Sequence, residues 1–396
     1  MLRFLTAGES HGPSLSVIVE GLPAGLAIDE DAISGELARR RLGYGRGPRM
    51  RFERDVVRLI GGIRHGRTLG SPVSVEILNS EWPKWEHEMS AAPGKPEKKL
   101  TAPRPGHADL AGMQKYGFDD ARDVLERASA RETAARVVAG SLAKALLATI
   151  DVAIVSHVVR IGGAFVSSGV RPLASDLDAI DESEVRCFDA ATEAAMIAEI
   201  KAAAKEGDSL GGIVEVIAYG VPVGLGSYVH WDRKLDGLLA GALMSIQAVK
   251  AVEIGDGMIQ ASQRGSVAHD AIARDDSFEL GGGYIRRSDH AGGLEGGVSS
   301  GAPIIAKAAM KPLATLNRPV LETVDVATGE STISFKERTD VTAVPAMGVV
   351  SESMMALVLA NESLRKFGGD SVDEFVRNHR SYLLNLGSVV SGARPA

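Results

Sequence analysis

Short apolar runs bounded by Gly, Pro or charge alternate along the chain with longer stretches whose apolar residues recur every three or four positions. The first pattern predicts strands and the second predicts helices. Residues 2–5 and 15–19 read as strands flanking the turn GESHGPS, which puts His11 on a bend. An Asp29 or Asp31 cap, Ile33 and Leu37 on one face, and Gly43 just beyond predict a short helix. Residues 56–61 and 72–78 pair as a hairpin around RHGRTLGS. Residues 80–103 follow, rich in Pro and charge and without periodicity, which predicts a surface loop anchored by Trp82 and Trp85.

Residues 104–148 organise what comes next. Arg104, His107 and Asp109 share a Pro/Gly-kinked loop, the polar run Arg127, Ser129, Arg131 and Glu132 follows, and then Val137, Val138, Leu142, Ala145 and Leu146 recur at helical spacing. Ser129 with Glu132 three residues on reads as a capping box, so amides at the helix start would face whatever the loop holds. An anion site is one reading, and a capped helix after a surface loop is the other. Beyond it the pattern predicts a strand carrying His157, a helix over 191–205 and a strand over 213–218. A long helix is expected from Asp232 to about residue 257, apolar all round and so buried between layers. Gln247 inside it needs a partner or a ligand.

The glycine-dense segment 281–303 admits neither helix nor central strand, and a buried strand over 303–310 and a hairpin over 321–326 and 332–336 follow it. A loop with Arg338 and Asp340 then leads into a long apolar helix, as Arg104, His107 and Asp109 precede theirs. Element order therefore repeats weakly between two halves. One domain over residues 1–396 with a frayed tail at about 386–396 is expected.

Composition narrows the class. With 45% hydrophobic and 24% charged residues the profile is globular, and a net charge of -7 disfavours nucleic acid as the partner. Cys187 is the single cysteine, which excludes an intrachain disulfide and a cysteine metal cluster. No signal-like start is visible and Lys144, Asp151, Lys250 or Glu253 interrupt the apolar helices, so a cytoplasmic protein without a membrane segment is expected. Arg39, Arg40, Arg41, Arg46, Arg49, Arg51 and Arg54 crowd one helix end and its loop. The first three suit a helix C-terminus, whereas glycine-spaced arginines in YGRGPRMR suit a phosphate or carboxylate clamp. No dinucleotide or P-loop signature is present, and the dispersed histidines, His65 and His87 included, offer no metal site. On residues alone, a flavin-independent phosphate lyase or phosphotransferase, or an oligonucleotide binder using residues 39–54, stays open.

Eight motifs in order carry a resemblance: GESHG at 8–12, RRRLGYGRGPRM at 39–50, RPGHAD at 104–109, RASARETAARV at 127–137, KAVEIGDG at 250–257, HAGGLEGGVSSG at 290–301, KPLAT at 311–315 and RTDVTAVP at 338–345. Together they resemble chorismate synthase over nearly the whole chain. The stretches 81–103 and 168–206 carry no matching motif. The resemblance implies an α+β fold: a β-α-β sandwich with a long-helix core between two antiparallel sheets, pseudo-repeated halves and a homotetramer. It implies a lyase that eliminates phosphate from 5-enolpyruvylshikimate 3-phosphate to give chorismate, with reduced FMN and no net redox change.

NADPH enters only if the chain reduces its own flavin, and an external reductant is expected. By motif, His11 would act on the departing phosphate, His107 would sit at the flavin, and Asp340 would assist proton removal. Flavin contacts would come from Arg127, Ala128, Ser129, Gln247, Ala248, Gly296, Lys311, Pro312, Leu313, Ala314, Thr315 and Arg338. Arg40, Arg46, Arg49 and Arg104 would hold substrate or NADP.

Overall fold

The computed structural model describes residues 1–47, 55–167, 169–318, 320–335 and 340–390, the last four of these by backbone alone. Strands β1 (Arg3–Ala7) and β2 (Ser14–Glu20) precede helix α1 (Glu30–Arg41), which is followed by β3 (Val56–Gly61) and β4 (Val73–Leu78). They form an antiparallel sheet in the order β1-β2-β4-β3. Leu15, Val17, Val19, Val73, Val75 and Ile77 alternate inward, as a sheet with one covered face requires. Helices α2 (Asp109–Tyr116), α3 (Arg122–Ala128) and α4 (Thr133–Ala148) complete the first half.

The second half holds β5 (Ala153–Ile161), β6 (Ala164–Phe165), α5 (Ala190–Glu206), β7 (Gly212–Tyr219), α6 (Leu235–Met244), β8 (Val249–Ile254), β9 (Ile304–Met310), α7 (Val344–Phe367) and α8 (Val372–Val390). Its antiparallel sheet runs β8-β9-β7-β5-β6. Leaving out β6, the order β5-β7-β9-β8 repeats first, second, fourth, third, as in the first sheet. Each half also places a helix between its second and third strands and a long helix after its fourth. The repeat expected from element order is thus a repeat of topology, with α5 inserted in the second half only.

Helices α4 and α7 pack together between the two sheets and share one apolar cluster with both of them. They approach closely because Gly140 has no side chain: a Cβ there would lie 2.2 Å from that of Ser353. One charged node is buried in this layer. Glu352 on α7 accepts from Arg39 Nη1 at 2.8 Å, Lys144 at 2.6 Å, Arg186 Nη2 at 3.0 Å and Ser156 Oγ at 2.7 Å. Burial pushes this carboxyl up, but Lys144, Arg39 and Arg186 outweigh it and hold it well below its usual range. Helix α7 is long and apolar enough to cross a membrane, yet it is buried inside the fold.

Three expectations are corrected. The long helix from Asp232 stops at Met244, because Ala248 adopts a left-handed φ of 65° and residues 249–254 pair with β9 instead. The capping box is half formed: Ser129 Oγ accepts from the Arg131 amide, while Glu132 turns to Thr6, Arg136 and Gln247. Part of the expected frayed tail is helix, since α8 runs to Val390, packing Phe375 and His379 against Phe367.

Candidate active site

A cavity of about 1820 Å³ opens where the turn holding His11, the loop 43–47, the loop 104–108, the start of α4, the turn 246–250 and the segment 310–317 meet the first turns of α7. Both halves contribute walls. Its floor is mixed: Ile246, Met310, Leu313, Met347 and Val350 are apolar, and cations and histidines stand among them.

Two histidines are held alike. The backbone N–H of His11 donates to Glu126 Oε2 at 2.8 Å, and its Nδ1 lies 2.9 Å from Glu126 Oε1. Arg122 Nη1 donates to the same carboxylate at 2.9 Å. Burial pushes the Glu126 carboxyl up, but the bonds from His11 and the charge of Arg122 bring it below its ordinary value. In the second case His107 Nδ1 meets Asp109 Oδ1, and Asp109 is fully buried. Arg104 donates to that carboxylate through its backbone N at 3.1 Å, Nε at 2.8 Å and Nη2 at 3.1 Å.

Burial raises Asp109, yet the hydrogen bonds from His107 and Arg104 hold it well below the usual carboxylate range. An ionised carboxylate only accepts, so each Nδ1 is placed to donate to it, which leaves Nε2 as the nitrogen that gives or takes a proton; His107 Nδ1 also lies 3.0 Å from Arg104 Nη2. Sequence reasoning placed Asp109 in the loop without giving it this role, and it missed Glu126 altogether.

The cations come from several elements. Arg40 is buried, 3.7 Å from Asp55, and its Nη1 donates to Thr133 Oγ1 at 3.4 Å. Arg131 pairs with the same aspartate. Burial raises Asp55, and Arg131 and Arg40 outweigh that to bring it below its normal value. Arg46 Nη1 lies 3.2 Å from Asp340 Oδ2, while the Gly47 amide donates to Oδ1 at 2.6 Å. Asp340 thereby ties the arginine loop to the start of α7. Gln247 Nε2 donates to Glu132 at 3.0 Å, and its buried Oε1 has no hydrogen-bond partner among the described residues.

Comparison with known proteins now bears on this geometry. A family model for chorismate synthase matches residues 2–364. Chorismate synthases of Frankia alni and Leifsonia xyli subsp. xyli are 59% and 57% identical to the chain, covering 98% and 97% of it and 99% and 96% of their own lengths. The chain belongs to the chorismate synthase family. A crystal structure of chorismate synthase superposes with a TM-score of 0.79 at 38% identity, covering 98% of each chain. The chain is therefore an enzyme of the chorismate synthase type, with that family's α+β fold.

Seen as a chorismate synthase site, the cavity gathers most of the residues named from the sequence. His11, His107 and Asp340 line it, as do Arg40, Arg46 and Arg104. Ala128, Ser129, Gln247 and Ala248 form one wall, and Lys311, Leu313, Ala314 and Thr315 another. Pro312 lies between two lining residues without lining the cavity itself.

Arg127 lies elsewhere, donating to the carbonyls of Thr6 at 2.8 Å and Gly8 at 3.0 Å. Gly296 lies in the two-residue-strand hairpin Leu294–Glu295 and Val298–Ser299, away from this cavity. Arg49 and Arg338 fall outside the described residues. Arg41, Arg131, Lys201 and Lys250 add positive charge that the motif comparison did not assign to the site. Lys201 belongs to α5, in a stretch without a motif match, and so carried no sequence signal.

Proposed function

We propose that this enzyme eliminates phosphate and a ring proton from 5-enolpyruvylshikimate 3-phosphate to give chorismate, with reduced FMN as cofactor and no net redox change. One observation carries the reading: two histidines, each with Nδ1 on a buried carboxylate, share one cation-rich cavity with the loop that Asp340 anchors. The donor set fits a flavin. A volume of about 1820 Å³ exceeds the roughly 300–1,000 Å³ of a one-ligand pocket, leaving room for cofactor and substrate together. The Gln247 carbonyl oxygen offers an acceptor to a ring N–H, Leu313 and Ala314 offer apolar wall, and Lys311 offers a cation to an anionic cofactor.

Held by Gln247, Lys311, Leu313 and Ala314, reduced FMN would supply reversible one-electron chemistry, an electron lent to the substrate as phosphate departs and returned with the ring hydrogen. The chain's own residues would do the rest. Arg40, Arg46 and Arg131 would neutralise the phosphate and carboxylates of the substrate, where paired guanidinium donors are strongest. His11 would give its Nε2 proton to the leaving phosphate, with Glu126 compensating the imidazolium charge. His107 would present its Nε2 to the cofactor under the hold of Asp109. Asp340 would assist proton removal once substrate has taken over Arg46. An external reductant, a homotetramer and a cytoplasmic location complete the proposal.

The test is an anaerobic assay with photoreduced FMN and 5-enolpyruvylshikimate 3-phosphate, following chorismate and phosphate together. Stoichiometric release of both, dependent on reduced flavin, is expected. Phosphate release that proceeds equally without flavin would overturn the cofactor assignment.

A further inference from the structure

The stretch 81–103 carried no family motif, yet its first turn reaches the cavity. Trp85, at the end of the short helical turn Trp82–Trp85, stacks on the imidazole of His11 with ring centroids 4.0 Å apart and planes inclined by 30°. Arg122 lies over the same indole, 5.0 Å from its centroid, and also donates to Glu126, which holds His11 Nδ1. Four side chains from three separate segments thus close a ring of contacts: His11 to Trp85, Trp85 to Arg122, Arg122 to Glu126, Glu126 to His11.

Glu126 holds the backbone N–H and Nδ1 of His11, and the indole face adds a constraint of a different kind, on the plane of the ring. With Nδ1 on the carboxylate and one face on the indole, the direction of Nε2 is set. We propose that Trp85 is the positioning residue of His11, holding the plane of its imidazole so that Nε2 addresses the phosphate end of the cavity. The inference rests on the role given to His11 in the proposed reaction.

Arg122, which is bound to Glu126, Glu88, which lies 3.9 Å from Arg122 Nε, and Glu81, which lines the same cavity, are charges of the same cluster. An imidazole stacked on an indole alters the indole's emission, so the pair reports on itself.

Two measurements test the proposal. The first needs neither flavin nor substrate, so its outcome is separate from the reading of the reaction. Of the three tryptophans, Trp85 alone is kept by Trp82→Phe and Trp231→Phe. Its emission spectrum is expected to shift on His11→Asn, which removes the stacked imidazole. An emission spectrum unchanged by His11→Asn would overturn the stacking.

The second compares Trp85→Ala with Trp85→Phe in turnover. The alanine variant should lose about tenfold or more in kcat with KM for the phosphate substrate within about threefold, and phenylalanine should restore most of the loss. A rise in KM with unchanged kcat would make Trp85 a substrate contact and would refute the positioning role. Equal loss in both variants would refute it too.

Discussion

Replacing Asp109 by Asn probes the loop that carries His107. The carboxylate is fully buried and accepts from Arg104 three times and from His107 once, while Arg104 is itself buried. Asn keeps the shape and one acceptor oxygen but turns an NH2 group toward guanidinium donors and removes the charge opposite Arg104. Breaking a buried pair by neutralising one partner costs about 3–5 kcal/mol. Arg104 keeps a 3.0 Å bond to Thr315 Oγ1 and a place over the Phe335 ring, so the lower end applies.

With an unfolding entropy of about 2.1 cal/mol/K per residue, a 396-residue chain that unfolds as a unit has ΔS of roughly 0.8 kcal/mol/K, and about 3 kcal/mol lowers Tm by about 4 °C. Differential scanning calorimetry at neutral pH measures this directly. Because the folded pKa of Asp109 is depressed, its contribution is fully present above the unfolded value near 4 and drains away as pH falls toward the folded value. The gap between wild type and variant should therefore be flat above about pH 5 and shrink below about pH 4. Turnover should fall about 10- to 100-fold, roughly 1.4–2.7 kcal/mol in the barrier, as His107 loses its orientation. A Tm shift under about 1 °C with wild-type turnover would show that the Asp109 contacts neither stabilise the loop nor orient the imidazole.

His107→Ala and Asp340→Ala should each lower turnover severely while circular dichroism stays native, and wild-type rates in both would refute their assignment. Lys311→Ala should weaken FMN binding, read by flavin fluorescence, more than Arg127→Ala, because Lys311 lines the cavity while Arg127 turns to Thr6 and Gly8; the opposite order would mean that Arg127 leaves β1 to reach the cofactor. Gly140→Leu should destabilise the α4–α7 crossing by at least about 3 kcal/mol in urea denaturation, beyond the usual overpacking range, since Ser353 leaves no room even for a Cβ; an unchanged midpoint would show that the helices can separate.

What could be read from the sequence depended on how local the determining interaction is. Strands β2 and β4 were legible because alternate residues, Leu15, Val17 and Val19 or Val73, Val75 and Ile77, face a single core. The stretch 232–257 was misread because small apolar residues satisfy helical and strand periods alike, and only the pairing of Val249–Ile254 with a strand more than fifty residues away decides between them. His11 was legible as a histidine on a bend, but its holder Glu126 lies 115 positions on, and nothing near either residue announces the pair. Glu352 was hidden by the same logic, as its partners Arg39, Lys144 and Ser156 come from three different elements and Arg186 from the segment before α5.

The topology explains why the site draws on loops so far apart. Each half runs its strands in the order first, second, fourth, third, and each returns from the fourth strand to a long helix that must cross the layer between the sheets. The helices α4 and α7 pack against each other there, and residues at the start of both, Thr133 in one and Ala346, Met347 and Val350 in the other, line the cavity. Their positive dipole ends favour an anion, and so do the cations around them. The segment before each helix is therefore delivered to the same cavity, which Arg104 and His107 line from one half and Asp340 from the other. The halves are not interchangeable, however, because α5 is inserted between the first two strands of the second half alone and contributes Ile200, Lys201 and Ala204 to the cavity. A repeated frame brings two loops together, and the unrepeated insert gives the cavity between them one distinct wall.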